Sequence, residues 1–502
     1  MLRFTPAGTG LASALCCLAT ISTVLAGPVV DHGQGEMAGE VTASSVILQS
    51  RLTAGSQLSD GDLPGAAGVA CFEIATDKNF QHARQTDWLE ATAAGDYIVK
   101  TKVTGLKPAT GYYYRLRYGP TRQAAQAGPV CSFKTLSGSQ RSAATGFVVV
   151  TGMNYGFFHD GTNGRGRRMY TGPDKHLGFP ALESMLRMEP DFFVGTGDNV
   201  YYDHPRPTRV RSQGEMRRKW HEQFVQGRFI EFFSRVPTYW EKDDHDHRFN
   251  DCDPHSPIRG AHETDADRAD PQLAQQPSSQ LGIRTFWEQV PVVDPQNRNP
   301  VTYRTHRVSR ELQIWLVEGR DYRSANHLPD GPGKTVWGEA QMAWLQRTLL
   351  ESDATFKILI SPTPMVGPDS GTKRDSHVNM GGFQHEAGEF FSWLTEHDFL
   401  EQNFYLVCGD RHWQYHAVHP SGFEEFSCGA ICDANAFVAI RPGQEGSTDP
   451  EAKIVHKYTG AQTGGFLHVG VTPGDENMPA ELEFSFFDEQ GQLLYRESKP
   501  GQ

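Results

Sequence analysis

Three times in this chain an apolar run of strand length stops abruptly in acids, imidazoles or a tyrosine. Phe192-Phe193-Val194 leads into Gly197-Asp198-Asn199-Val200-Tyr201, and Val236-Pro237-Thr238-Tyr239 leads into Asp243-Asp244-His245-Asp246-His247, with Asn250 and Asp251 just beyond. Phe404-Tyr405-Leu406-Val407 leads into Gly409-Asp410-Arg411-His412. A strand apolar on both faces belongs inside a layered α/β fold. Polar residues at its end then fall on the sheet edge, where open α/β folds build their sites. Helical spacing over 180–188, 214–235, 338–350 and 385–396 supplies the covering helices, and further apolar strands are expected over 312–317, 356–361 and 404–408.

The residue types at these edges point to cations. Three acids and two imidazoles within five residues, 243–247, repel one another unless a cation or hydrogen bonds compensate. Asp410 and His412 stand at i and i+2, so an extended segment turns both to one side. Three such edges in one domain suit a dinuclear centre, in which two ions about 3.5–4 Å apart hold a hydroxide and the oxygens of a phosphoryl group. Oxygen-rich donors select hard or borderline ions, and a tyrosinate favours ferric iron.

The remaining chain divides by style. Residues 1–26 carry one charge, Arg3, ahead of an apolar run that ends in Val24-Leu25-Ala26, the pattern of a secretory signal peptide. With no paired arginines in it, the general export route is expected, to a secreted, periplasmic or cell-envelope location. No later segment is long and apolar enough to cross a bilayer. Residues 27–140 read as short β-branched and aromatic strands broken by Gly, Pro, Asp and Ser, a β-sandwich. Val103-Thr104-Gly105-Leu106 and Gly111-Tyr112-Tyr113-Tyr114 resemble the turn and strand of fibronectin type III-like modules. Residues 141–502 carry the α/β pattern, with 259–280 expected as a long surface loop. Cys71 with Cys131, and the group Cys408, Cys428 and Cys432, are candidates for disulfides in an exported chain. A net charge of −13 excludes general nucleic-acid binding, which needs a basic face, and Gly164–Arg168 is the densest positive patch.

Taken together, Gly197-Asp198-Asn199-Val200-Tyr201, Asp243-Asp244-His245-Asp246 and Gly409-Asp410-Arg411-His412 resemble the alkaline phosphatase D, or PhoD-like, family of metallophosphatases. The resemblance implies an α/β metallophosphatase domain of two sheets flanked by helices, preceded by the small all-β module. It implies a phosphoric ester hydrolase acting on small esters, with two or more metal ions, iron and calcium in the family and zinc or manganese as alternatives. Asp198, Tyr201, Asp244, Asp410 and His412 match the metal positions. His245 matches the histidine that protonates the leaving oxygen while metal-bound hydroxide attacks phosphorus, with Asp246 or another neighbour holding the imidazolium. Arg320 and Arg323 resemble the family's Asp-x-Arg-x-x-Arg segment, and Arg320 is a candidate substrate contact. His377 is a candidate ligand, substrate contact or loop residue. One departure bears on the metal: Gly152 stands where the family often places a Cys ligand, leaving Asn154, His159 or Asp160 as substitutes. The other readings are a phospholipase-like or sulfate esterase on the same scaffold, or a cell-surface binding protein built on a degenerate one.

Overall fold

The computed structural model describes residues 1–2, 29–161, 169–204, 210–255 and 277–501. The expected signal peptide lies almost wholly outside these residues, as do the basic patch 164–168 and most of the expected loop 259–280.

Two large sheets lie face to face. The first orders its strands 493–500, 481–488, 465–472, 145–150, 192–196, 238–241, 36–39, 45–51 and 98–104, and the run from Thr145–Val150 through Phe192–Thr196 and Thr238–Glu241 to Glu36–Gly39 is parallel. The second orders 304–307, 312–316, 356–361, 404–408, 424–428, 414–418 and 455–459, with Leu312–Leu316, Phe356–Ser361, Phe404–Cys408 and Glu424–Cys428 parallel. Alternation along each strand explains why these segments are apolar throughout. Phe147, Val149, Phe192 and Val194 point between the sheets, against Ile314, Ile358, Ile360 and Val407. Val148, Val150, Phe193 and Trp240 point outward, beneath helices that contribute Leu182, Met185, Trp220 and Phe232. Trp315, Leu359 and Leu406 do the same on the other side, under Leu345, Leu349, Phe390 and Leu394. The result is a helix–sheet–sheet–helix stack, the two-sheet architecture expected from the sequence.

The N-terminal strands are stitched into this stack. Glu36–Gly39 runs parallel to Thr238–Glu241, so one hydrogen-bonded sheet crosses residue 140. A third sheet, built on Gly68–Ala75 and Gly111–Gly119 with Cys131–Lys134, covers its far end. Buried Val46, Leu48, Val99, Phe72, Ile74, Tyr114 and Phe133 join the core between the two large sheets.

Three local expectations are corrected. The single helix over 214–235 is two, Gln213–Phe224 and Gly227–Phe233. The end of the expected loop is helical, because Ser278 caps Ser279–Gln289 by accepting from the Leu281 N–H. The cysteines Cys71, Cys131, Cys252, Cys408, Cys428 and Cys432 are buried and free. Cys71 and Cys131 flank opposite sides of the strand Gly111–Gly119, paired with Arg117 and Tyr114, so they are separated by two strand spacings, roughly 10 Å, across the sheet and by a further offset along it, beyond disulfide reach. Cys408 packs into the outer core and Cys428 into the inner one.

A buried polar knot fastens the N-terminal strands to the helical layer. His221 sits between Asp62 and Asp96, 2.7 Å from each, and Asp96 also accepts from Arg51 at 3.0 Å and Gln289 at 2.8 Å. Burial opposes the charge on Asp96, but His221 and Arg51 more than offset it and hold the carboxyl down at about 2, against an ordinary 3.8. A depressed carboxyl stabilises the fold above its unfolded pKa and stops doing so as pH falls through its folded one. Asp96→Asn is therefore expected to cost ~3 kcal/mol at neutral pH, and denaturant titrations should show the gap to wild type closing between pH 3.8 and about 2. A pH-independent gap would mean the charge of Asp96 is not what the knot uses.

Candidate metal centre

The acid clusters all stand at the carboxyl ends of parallel strands, and glycines let those ends touch. A Cβ on Gly409 would lie 2.4 Å from Thr196 Oγ1 and 2.6 Å from its carbonyl oxygen, so no larger residue lets the third edge meet the first. Gly197 has φ +86°, and its Cβ would fall 2.5 Å from Asp243 Cβ, which brings the first edge onto the second. The residue after each glycine takes the same left-handed turn, Asp198 at φ 54° and Asp410 at φ 55°. In both cases this throws the carboxylate out of the strand direction.

The side chains converge accordingly. Tyr201 Oη donates to Asp198 Oδ2 at 2.7 Å and lies 3.2 Å from His412 Nε2, which is itself 3.1 Å from Asp198 Oδ2. Ligand atoms of Asp198, Asp244 and His245 lie within 4.8 Å of one another, and so do those of Asp244, Asp251 and Asp375. Asp244 thus belongs to two adjoining donor groups. Asp410 faces Lys373, Arg411, Asp369 and Asp244, and burial raises its carboxyl to about 6.

This is an electrostatically uncomfortable place. Burial, together with neighbouring Asp244, pushes Asp198 up to about 7, and burial with Asp251 pushes Asp375 to about 7. Asp198 Oδ1 and Asp375 Oδ1 are buried and, among the described residues, have no hydrogen-bond donor. Buried carboxylates with unused oxygens, gathered around a shared aspartate, fit divalent or trivalent cations.

His245 is held from outside this cluster. Its Nδ1 lies 2.6 Å from Asp203 Oδ1, while Asp203 Oδ2 accepts from the Asn250 N–H at 3.1 Å. Burial opposes a charge on the imidazole, yet Asp203, Asp244 and Asp198 more than reverse this and raise its pKa well above 6.5. Asp203, not Asp246, is the partner. Asp246 accepts from the Asn199 side chain at 2.6 Å and the Asp243 N–H at 2.7 Å, pinning two loops together.

The two expected substrate contacts are both buried in contacts with protein groups, and Arg320 also lies 3.7 Å from Asp375. Arg320 is fully buried, donating to Asp243 Oδ1 at 2.7 Å and the Cys252 carbonyl at 2.8 Å. His377 is buried beneath the helix Gln384–Glu396, 3.0 Å from Glu386 and against the Trp337 ring. Of the expected substitutes for a Cys ligand, Asn154 caps the helix Tyr155–Asp160, His159 bonds Gln226, and Asp160 is exposed. Sequence reasoning did not assign Asp203, Asp251, Asp375 or Lys373. Lys373 Nζ lies 3.0 Å from Asp251 and 3.7 Å from both Asp369 and Asp375.

A stack of two sheets between helices, with acids and imidazoles at the strand ends, is the metallophosphatase architecture. The PhoD-like phosphatase family model matches residues 147–473 and the PhoD-like phosphatase N-terminal domain model matches 26–137. The chain belongs to the PhoD-like phosphatase family and is by class a phosphoric ester hydrolase. Among solved structures it is similar to PhoD, with a TM-score of 0.70 at 16% identity over 94% of this chain and 90% of that one. It is also similar to a purple acid phosphatase from yellow lupin (Lupinus luteus) seeds, with a TM-score of 0.57 at 12% identity over 94% and 74%. Both likenesses speak to the fold. A search of curated proteins finds no match.

The glycine contacts are testable. Gly409→Ala should destabilise the protein by about 1–3 kcal/mol through overpacking and lower hydrolytic activity. Gly388→Ala, in a helix with open space around its Cβ, should stabilise it by about 0.5–1 kcal/mol. Thermal melts and ester hydrolysis on both variants separate the two; an unaffected Gly409→Ala would show that the edges do not need this approach.

Proposed function

We propose that this chain hydrolyses phosphoric esters with two or more metal ions, held by Asp198, Tyr201, Asp244, Asp410 and His412, and that Asp251 and Asp375 add to the donors around Asp244. The observation that carries this reading is the sharing of Asp244 between two donor groups, with His245 beside one of them. When bound, the ions supply Lewis acidity toward phosphoryl oxygens and activate a water as nucleophile.

The chain's own residues supply the rest. An alkoxide leaves phosphorus poorly unless it is protonated. His245 is the general acid: its Nδ1 is occupied by Asp203, so Nε2 is the nitrogen that delivers the proton. Asp203 orients the ring and balances its charge. The Tyr201 ring lies 4.3 Å from the imidazole, centre to centre, and limits its swing. The acids repel an anionic ester until they are neutralised, which makes activity depend on the ions. The proposed setting is extracytoplasmic, a reading supported only by the signal-peptide-like pattern of residues 1–26.

Turnover of p-nitrophenyl phosphate and bis-p-nitrophenyl phosphate, abolished by chelation and restored by metal, tests the reading, and chelator-resistant turnover would refute it. The Asp203 role has its own signature. Asp203→Asn should cost ~100-fold in kcat on an alkyl phosphate and far less on p-nitrophenyl phosphate, whose leaving group needs no proton. Equal losses on both would remove His245 as the acid that Asp203 serves.

A further inference from the structure

The loop that follows the strand Glu424–Cys428 carries no acid into the centre, yet it grips two of the proposed ligands. Ala430 bridges to Thr151, and the backbone then turns so that the N–H groups of Asn435 and Ala436 donate to the Cys432 carbonyl. Asn435 is 1% exposed. Its Nδ2 lies 2.9 Å from the Gly152 carbonyl oxygen and 2.9 Å from Tyr201 Oη. Two residues on, the Phe437 N–H donates to the His412 carbonyl at 3.0 Å, and its ring meets the His412 imidazole edge-on at 5.3 Å.

The polarity of this arrangement follows from the carbonyl. Gly152 O can only accept, so the amide must present its NH2 group there, and the second hydrogen of that group points at Tyr201. Tyr201 Oη therefore accepts from Asn435 and turns its own hydrogen toward Asp198 Oδ2, 2.7 Å away. The phenol is fixed at both the ring and the oxygen, with the oxygen aimed at Asp198 and His412. Asn435 also fills the corner beneath Gly152. At φ +67°, a Cβ on residue 152 would lie 3.0 Å from Asn435 Nδ2 and 2.9 Å from Ala430 Cβ, so a side chain at 152 crowds the amide at 435.

We propose that Asn435 is a positioning residue of the metal centre: anchored on the Gly152 carbonyl, it orients the Tyr201 oxygen and, as a hydrogen-bond donor to it, weakens that oxygen as an electron donor. The proposal rests on Tyr201 being a ligand, and the test keeps the two apart. Purified wild type, Asn435→Ala, Asn435→Ser, Gly152→Ala and Tyr201→Phe are loaded with ferric iron, and the visible spectrum and retained iron are measured. Wild type should show a phenolate-to-iron charge-transfer band, which Tyr201→Phe lacks. Asn435→Ala removes the donor and raises the phenolate orbital, which should move the band to lower energy; it also releases the phenol from its anchored orientation, which should outweigh the stronger donation and weaken iron retention ~10-fold, as loss of outer-shell partners does. Gly152→Ala, which pushes the amide aside, should move it the same way. Asn435→Ser keeps a polar group but cannot span both oxygens; it should shift the band likewise and stands in where Asn435→Ala does not fold. Iron bound by wild type without a band overturns Tyr201 as ligand. A band present in wild type and unmoved, with unchanged iron retention, in the Asn435 and Gly152 variants overturns the role of Asn435.

Discussion

The approach of the strand ends at Gly409 and Thr196 sets the geometry of everything around it. A side chain at 409 would collide with the backbone of 196, and without that closeness His412 could not stand 3.1 Å from Asp198. Two sheets that pack through their apolar inner faces have no reason to bring their carboxyl edges together at one point. Small residues at the contact, and the left-handed turns of Asp198 and Asp410 that follow the glycines, are what convert a layered fold into a site.

Placing so many acids there has consequences for the surrounding chain. Arg320 is committed to Asp243, Arg411 to Asp369 at 2.6 Å, and Lys242 to Glu318 and Asp321 at 2.8 and 2.6 Å. Of these cations, Arg320 also lies 3.7 Å from the donor Asp375. Lys373, 3.0 Å from Asp251, reaches the donor groups as well. Buried ion pairs of this kind return little net stability against their desolvation. Their presence is better explained by the need to hold Asp244, Asp198 and Asp375 close together than by a need for strength.

How much of this the sequence disclosed depends on chain distance. The strand-end clusters were legible because each is local: an apolar run, a glycine, an aspartate. The helices 338–350 and 385–396 and the strands 356–361 and 404–408 were legible for the same reason, since periodicity is a property of neighbours. Asp203 was not, because its role appears only when the turn after Tyr201 folds back on His245, 42 positions later. Asn435 was less so, an uncharged residue 234 positions from the tyrosine it holds. Arg320 illustrates the converse: a motif that suits phosphate was visible, while the Asp243 carboxylate that occupies it came from another sheet. The parallel pairing of Glu36–Gly39 with Thr238–Glu241 was hidden likewise, since a four-residue strand carries little periodic signal.

The proposed function requires ions on both sides of Asp244. Anomalous diffraction from crystals of the metal-loaded protein, collected on either side of the metal absorption edge, tests it without reference to activity. Two peaks are expected about 3.5–4 Å apart, one among Asp198, Tyr201 and His412 and the other toward Asp251 and Asp375, with Asp244 in contact with both. Peaks confined to the protein surface, or a single peak that leaves Asp244 untouched, would contradict it.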